Sequence, residues 1–167
     1  MKVTRSTVST ILTVVAALIL LAALPSAMRD TFETGRVYLF SRQFFEELPQ
    51  RFSGPGRFRF ILQPLIAALL GWRGGVSDAR LGRSPYIYGM FMDEKNRREL
   101  MRSGMNAVRH LVAMGIILDA VAQLLIYSQV HPGAALVVGP VLICIPYAVA
   151  RALTNRVILF THRGAGK

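Results

Sequence analysis

The sequence predicts an all-α integral membrane protein. Its parts are a C-terminal transmembrane helical hairpin preceded by a long amphipathic helix, plus an N-terminal apolar helix and a short re-entrant or interfacial segment. Three observations carry this. Residues 111–130, LVAMGIILDAVAQLLIYSQV, form an apolar run of crossing length, since about 20 apolar residues span a hydrocarbon core of about 30 Å. A second such run, 134–152, follows across His131-Pro132-Gly133. Of the 167 residues, 53% are hydrophobic and 17% charged, against roughly 45–50% and about a quarter in a soluble domain.

Charge and cysteine usage narrow the class further. The net charge of +11 comes from 20 Lys+Arg against 9 Asp+Glu. In a soluble chain that excess would point to nucleic acid. Here the basic residues flank apolar runs, which fits topology signals and contact with anionic lipid headgroups, and no nucleic-acid partner is expected. The single cysteine, Cys144, lies inside an apolar run. It has no partner for an internal disulfide and reads as a small apolar filler.

Residues 1–28 hold Lys2 and Arg5, then an apolar run from Val8 to Leu24 closed by Pro25. They read as a transmembrane helix or signal anchor in preference to a cleaved signal peptide, because Pro25-Ser26-Ala27 is a poor cleavage site. A true start at Met28 is the remaining option. Residues 29–57 form an amphipathic interfacial segment. Over 30–50, Val37, Phe40, Phe44 and Leu48 share one side at helical spacing, while Arg36, Arg42, Glu46 and Glu47 take the other. Asp30 or Thr31 would cap that helix, and Pro49 with Ser53-Gly54-Pro55-Gly56 would end it. It either lies in the membrane interface or packs on the rest of the protein.

Residues 58–110 combine a short re-entrant segment with a basic cytoplasmic region. The apolar part of 58–72, FRFILQPLIAALLGW, is short for a crossing, and Pro64 would leave a carbonyl unpaired in lipid. Gly74 and Gly75 then read as a helix end and turn, since neither the strand nor the Gly-Lys-Ser/Thr of a phosphate loop is there. Trp72, Tyr86, Tyr88 and Phe91 suit interface anchors. Asp93 is a good N-cap for one helix running from about 93 to 129. Along it Lys95, Arg98, Arg102 and Arg109 form a basic stripe suited to anionic lipid.

Residues 111–167 complete the hairpin and its basic tail. The turn between the two runs has no Lys or Arg, whereas 73–110 holds eight and 151–167 holds four. The positive-inside rule therefore puts the C-terminus in the cytoplasm. Six basic residues in 29–59 argue against a crossing at 58–72, which leaves three spans.

Asp119 sits near the middle of the 111–130 run, with Gln123 one turn later. A carboxylate in a span marks a pathway or an interior pairing. Antiparallel geometry places Asp119 opposite Cys144, Pro146 and Tyr147, so a hydrogen bond from Tyr147 is expected, with Gln123 turned to carbonyls near Pro140. Desolvation in such a setting favours a neutral carboxyl. A relay would need further acidic groups, and no second one lies in these spans, so pairing is the better reading. No HExxH, GxSxG or P-loop occurs, and His110, His131 and His162 are far apart in sequence. Neither an enzymatic activity nor a cofactor nor a metal is expected.

Leu62-Gln63-Pro64-Leu65, Asp78-Ala79-Arg80, Gly82-Arg83-Ser84-Pro85-Tyr86, Arg97-Arg98-Glu99-Leu100, Leu118-Asp119-Ala120-Val121-Ala122-Gln123 and Ala152-Leu153-Thr154-Asn155-Arg156 give the chain a further association. Over roughly 60–157 it resembles a family of small, uncharacterised bacterial inner-membrane proteins. What the resemblance implies is a bacterial inner (cytoplasmic) membrane, without an activity to carry over. The expected role is a non-enzymatic multi-pass protein, an accessory or scaffolding subunit in contact with other membrane subunits. The alternative is an oligomeric proton- or ion-conducting protein using Asp119. A third reading is a lipid-surface sensor using 30–50 and 93–109.

Overall fold

The computed structural model describes residues 5–35 and 38–164. Among them are six helices and no strand: α1 Arg5–Thr34, α2 Arg42–Ser53, α3 Arg59–Arg80, α4 Tyr86–Met92, α5 Glu94–Tyr127 and α6 Pro132–Gly164. Four of these, α1, α3, α5 and α6, are long and apolar enough to cross a membrane. They build two compact units. One takes the stretches up to Leu62 and His110–Leu142, and the other takes Gln63–Arg109 and the chain from Ile143 onward.

The first unit begins with α1, which runs through Pro25 instead of stopping there. Proline removes one backbone donor and crowds one carbonyl. Only that one position of the ladder is lost, and the residues on both sides keep the helix going. Its run from Ile11 to Leu24 is apolar on nearly every side; Ser9 and Ala16 are buried, while Leu18 and Leu21 are exposed. Gly35, at φ +64°, ends it. Lys2, the side chain of Arg5, and Arg36 and Val37 lie outside the described residues.

The amphipathic helix starts at Arg42, not near residue 30. Its cap is Ser41, whose Oγ accepts from the Phe44 N–H at 3.2 Å. Asp30 and Thr31 belong to the end of α1. Pro49 lies within α2, which ends at Ser53. Phe44 is buried with Ala134 and Val138, and Tyr38, Leu39, Leu48 and Phe60 pack around them. Deeper in this unit α1, α5 and α6 meet at Ala16, Ile116 and Ala135. There a methyl on Gly139 would lie 2.8 Å from the Gly115–Ile116 backbone. The turn between α5 and α6 forms as expected, with Ser128 in the left-handed region and Pro132 opening α6. Proline suits that first helical position because its missing donor would be unpaired anyway.

The second unit corrects the reading of 58–72 and the loop after it. In place of a short element and a Gly-rich turn, one 22-residue helix, α3, continues through Pro64, Gly74 and Gly75 to Arg80. The glycines are contact points. A methyl on Gly71 would lie 2.3 Å from the Tyr147 carbonyl, and one on Gly75 would lie 2.5 Å from the Arg151 carbonyl. Small residues four apart let two helix backbones approach, the device that membrane helices use where no hydrophobic force drives them together. Asp93 caps α5 as expected: its Oδ1 accepts from the Asn96 N–H at 3.3 Å and its Oδ2 from the Asn96 side chain at 2.9 Å. These bonds and one from Ser84 hold its pKa below the usual carboxylate value. Glu99 forms an ion pair with Arg83.

Gly75→Ala forces α3 and α6 apart and costs about 1–3 kcal/mol. Thermal unfolding of the purified protein in mild detergent measures the loss; an unchanged midpoint would remove the close-approach account.

Candidate functional site: two buried ionic clasps

The strongest chemistry in the first unit converges on Asp119, which is 1% exposed. It points inward, as a carboxylate in an apolar run must. Arg59 Nη2, from the start of α3, lies 2.7 Å from its Oδ1 in an ion pair. Arg51 Nη1, from the end of α2, straddles both oxygens at 3.3 and 3.4 Å. Gln123, one turn along α5, donates to Oδ2 at 2.7 Å. The carboxylate therefore sits between two guanidiniums and an amide, all of them buried.

Each arginine is secured in turn. Arg59 Nη1 donates to the Leu118 carbonyl at 2.8 Å, and its guanidinium lies over the Phe60 ring. Arg51 Nη2 donates to the Tyr38 hydroxyl at 3.0 Å, and that hydroxyl donates to Glu47. Burial works against the Arg51 charge, but Asp119 and the Tyr38 hydroxyl outweigh it and raise its pKa. Burial, then the bond to Glu47, pushes the Tyr38 phenol well above its usual value. The Tyr38 ring stacks on His131 at 3.6 Å between centroids. The backbone N–H of His131 donates to Gln123 Oε1 at 2.8 Å. Burial holds the His131 imidazole below its ordinary value of 6.5, so it is neutral at pH 7.

A cleft of about 970 Å³ opens beside this network, with Tyr38, Phe40, Arg42, Gln129 and His131 among its walls. Several of its polar groups already have partners: Arg42 pairs with Glu46, Gln43 with Glu47, and Gln129 with Asp30. His131 Nδ1 is buried there without a hydrogen-bond partner.

The second unit holds a separate clasp. Asp78, near the end of α3, accepts two bonds from Arg151 of α6, from Nε at 2.6 Å and from Nη2 at 2.9 Å. This forked pairing matches the flat guanidinium to the carboxylate and is among the stronger polar contacts. Arg151 also donates to the Tyr147 hydroxyl at 2.8 Å and to Ser103 Oγ at 3.0 Å, and its guanidinium lies 4.4 Å from the Tyr86 ring centre. Arg83 approaches Asp78 at 3.7 Å and pairs with Glu99. Asn155, fully buried, donates to the Arg83 carbonyl at 3.2 Å.

Of the side chains singled out from the sequence, Asp119 and Gln123 belong to the first clasp, where they bond to each other, and Tyr147 belongs to the second. The Asp119–Tyr147 bond is replaced, because each has a charged partner that outbids a neutral hydroxyl. Gln123 turns to the His131 backbone and not to the carbonyls near Pro140. Lys95, Arg98, Arg102 and Arg109 all lie exposed on α5. Arg51, Arg59, Asp78 and Arg151 were missed as site residues. A signal existed for Asp78, since Gly71, Gly75 and Asp78 share one face of a continued helix. Comparison with known proteins adds no relative: no family model, curated protein or solved structure matches the chain.

Two outcomes follow. Asp119→Ala strands two buried guanidiniums and costs about 3–5 kcal/mol, whereas Gln123→Ala costs about 1–3 kcal/mol; thermal unfolding in mild detergent ranks them. Because the folded imidazole of His131 has a depressed pKa, its contribution is complete above pH 6.5, the ordinary value. As pH falls below that, the unfolded state binds the proton more readily, and stability declines toward the folded value. Unfolding midpoints between pH 8 and 5 should show that slope, and His131→Gln should flatten it.

Proposed function

We propose that this chain is a non-enzymatic multi-pass protein of a bacterial inner membrane, an accessory or scaffolding subunit of a larger membrane complex, with its C-terminus in the cytoplasm. The observation that carries the reading is the enclosure of Asp119 by Arg51, Arg59 and Gln123. A proton or ion relay works through a carboxylate that can exchange its partner. This one is clamped from three sides, and Asp78 is held by two bonds from Arg151. Such clasps fix helices in place and engage both carboxylates in ion pairs.

The same geometry supports four crossings in place of three. Two of the six arginines that weighed against a crossing near residue 60 are Arg51 and Arg59, and both are buried against Asp119. Four crossings keep the basic stretches 73–110 and 151–167 on one side, the cytoplasmic one by the positive-inside rule. The broad uncovered apolar surface of α1 favours a neighbour helix in a larger assembly, and the basic stripe of α5 favours anionic headgroups.

Liposomes carrying the wild-type protein should pass protons and monovalent ions no faster than empty ones, and Asp119→Asn should change nothing. Flux above the empty control that Asp119→Asn abolishes would replace this reading with an oligomeric conductor. Isolation from native membranes in mild detergent should give a complex well above 18.5 kDa. A lone monomer in every detergent would overturn the accessory role.

A further inference from the structure

Helix α4, YIYGMFM, carries no charge and has seven residues. At about 1.5 Å per residue it is far too short to cross a membrane. One of its faces is fixed to the second unit. Tyr86 is buried with its ring edge-on to Tyr147 and over the Arg151 guanidinium. Its hydroxyl takes the space that a methyl on Gly104 would fill, and Gly89 lies against Leu100. The chain on either side is pinned as well, by Ser84 Oγ to Asp93 at 3.0 Å and by Arg83 to Glu99. The helix is thus held in one orientation, and the other face is left bare: Ile87, Tyr88, Phe91 and Met92 are 40–72% exposed.

The surroundings of that bare face are cationic. Residues 73–110 contain eight Lys or Arg and four Asp or Glu. Asp78 is buried in its clasp and Asp93 is committed to Ser84 and Asn96; the two exposed carboxylates, Glu94 and Glu99, the latter paired with Arg83, stand against the exposed cations Arg73, Arg80, Lys95, Arg97, Arg98 and Arg102. Bulky apolar side chains on a short helix, in a stretch of chain rich in exposed guanidiniums and ammoniums, match the boundary between phosphates and acyl chains in an anionic leaflet. Water would leave four large side chains unsheltered, and a neutral leaflet would leave these cations without counter-charge.

We propose that α4 is an interfacial anchor: Ile87, Tyr88, Phe91 and Met92 enter the headgroup–acyl boundary of an anionic leaflet, and Lys95, Arg98 and Arg102 hold its phosphates. The proposal rests on the membrane reading above and adds the element that enters the leaflet. It is tested on the full chain in nanodiscs of phosphatidylglycerol or of phosphatidylcholine, in a Trp72→Phe background. One variant adds Phe91→Trp and a second adds Leu18→Trp, on the exposed face of α1. The Phe91→Trp indole should be quenched by lipids brominated near the headgroup and shielded from aqueous iodide. Its quenching should fall at least twofold in phosphatidylcholine or when Lys95→Gln, Arg98→Gln and Arg102→Gln are combined. The Leu18→Trp indole should be quenched by lipids brominated deep in the chain, whatever the headgroup.

Free access of iodide to the Phe91→Trp indole, with Leu18→Trp still quenched by lipid, overturns the anchor and leaves the membrane reading standing. Loss of lipid quenching at both positions overturns both. Shielding of the Phe91→Trp indole from iodide and lipid alike means that protein covers α4, and equal quenching in the two lipids removes the anionic preference; either result overturns the proposal.

Discussion

A carboxylate removed from water must be answered by a cation, and the first unit is organised around that requirement at Asp119. Leaving it alone in a low-dielectric interior would cost several kcal/mol. Arg59 answers it directly and Arg51 shares it, but two guanidiniums on one carboxylate leave a positive excess. The excess passes through the Tyr38 hydroxyl to Glu47, which lies nearer the surface. Tyr38 must then sit where it does, and so must the turn that carries it. His131 stacks on its ring, and Gln123 ties the His131 backbone to the same carboxylate. The positions of α2, the start of α3 and the α5–α6 turn are all consequences of one buried negative charge.

In the second unit the ordering of causes is reversed: backbone proximity comes first and charge pairing exploits it. Gly71 and Gly75 remove the side chains that would hold α3 away from α6. Once the backbones are close, Asp78 and Arg151 can meet through two short bonds, and Tyr147 and Ser103 supply further acceptors for the guanidinium. A larger residue at either glycine would act on the ion pair without touching it.

Features set by neighbours in sequence were legible, and features set by distant charge were not. The two C-terminal runs, the break at Pro132, the Asp93 cap and the Asp119–Gln123 spacing all follow from local rules and all appear. Proline and glycine misled, because at Pro25, Pro49, Pro64, Gly74 and Gly75 they were weighed as breakers, their usual role in water. Pro25 and Pro64 lie in long apolar helices and Pro49 in a short amphipathic one, and at each the residues on both sides keep the ladder going past the lost donor. The arginines misled in another way. Arg51 and Arg59 were counted as solvated topology signals, and no spacing rule ties residues so far apart to Asp119. With Tyr147 the nearer signal was overlooked: Arg151, one turn along the same helix, is its partner.

The Arg51–Asp119 pair spans 68 residues of chain, and that separation bears on biogenesis. A ribosome delivers Arg51 and Arg59 well before their counter-charge exists. Until α5 is made, neither arginine has the carboxylate that holds it in the folded chain, and burying either one alone would leave an uncompensated charge. The α2–α3 end of the first unit therefore closes only once Asp119 is present. Assembly of this clasp is in that sense a late event, timed by the arrival of one aspartate.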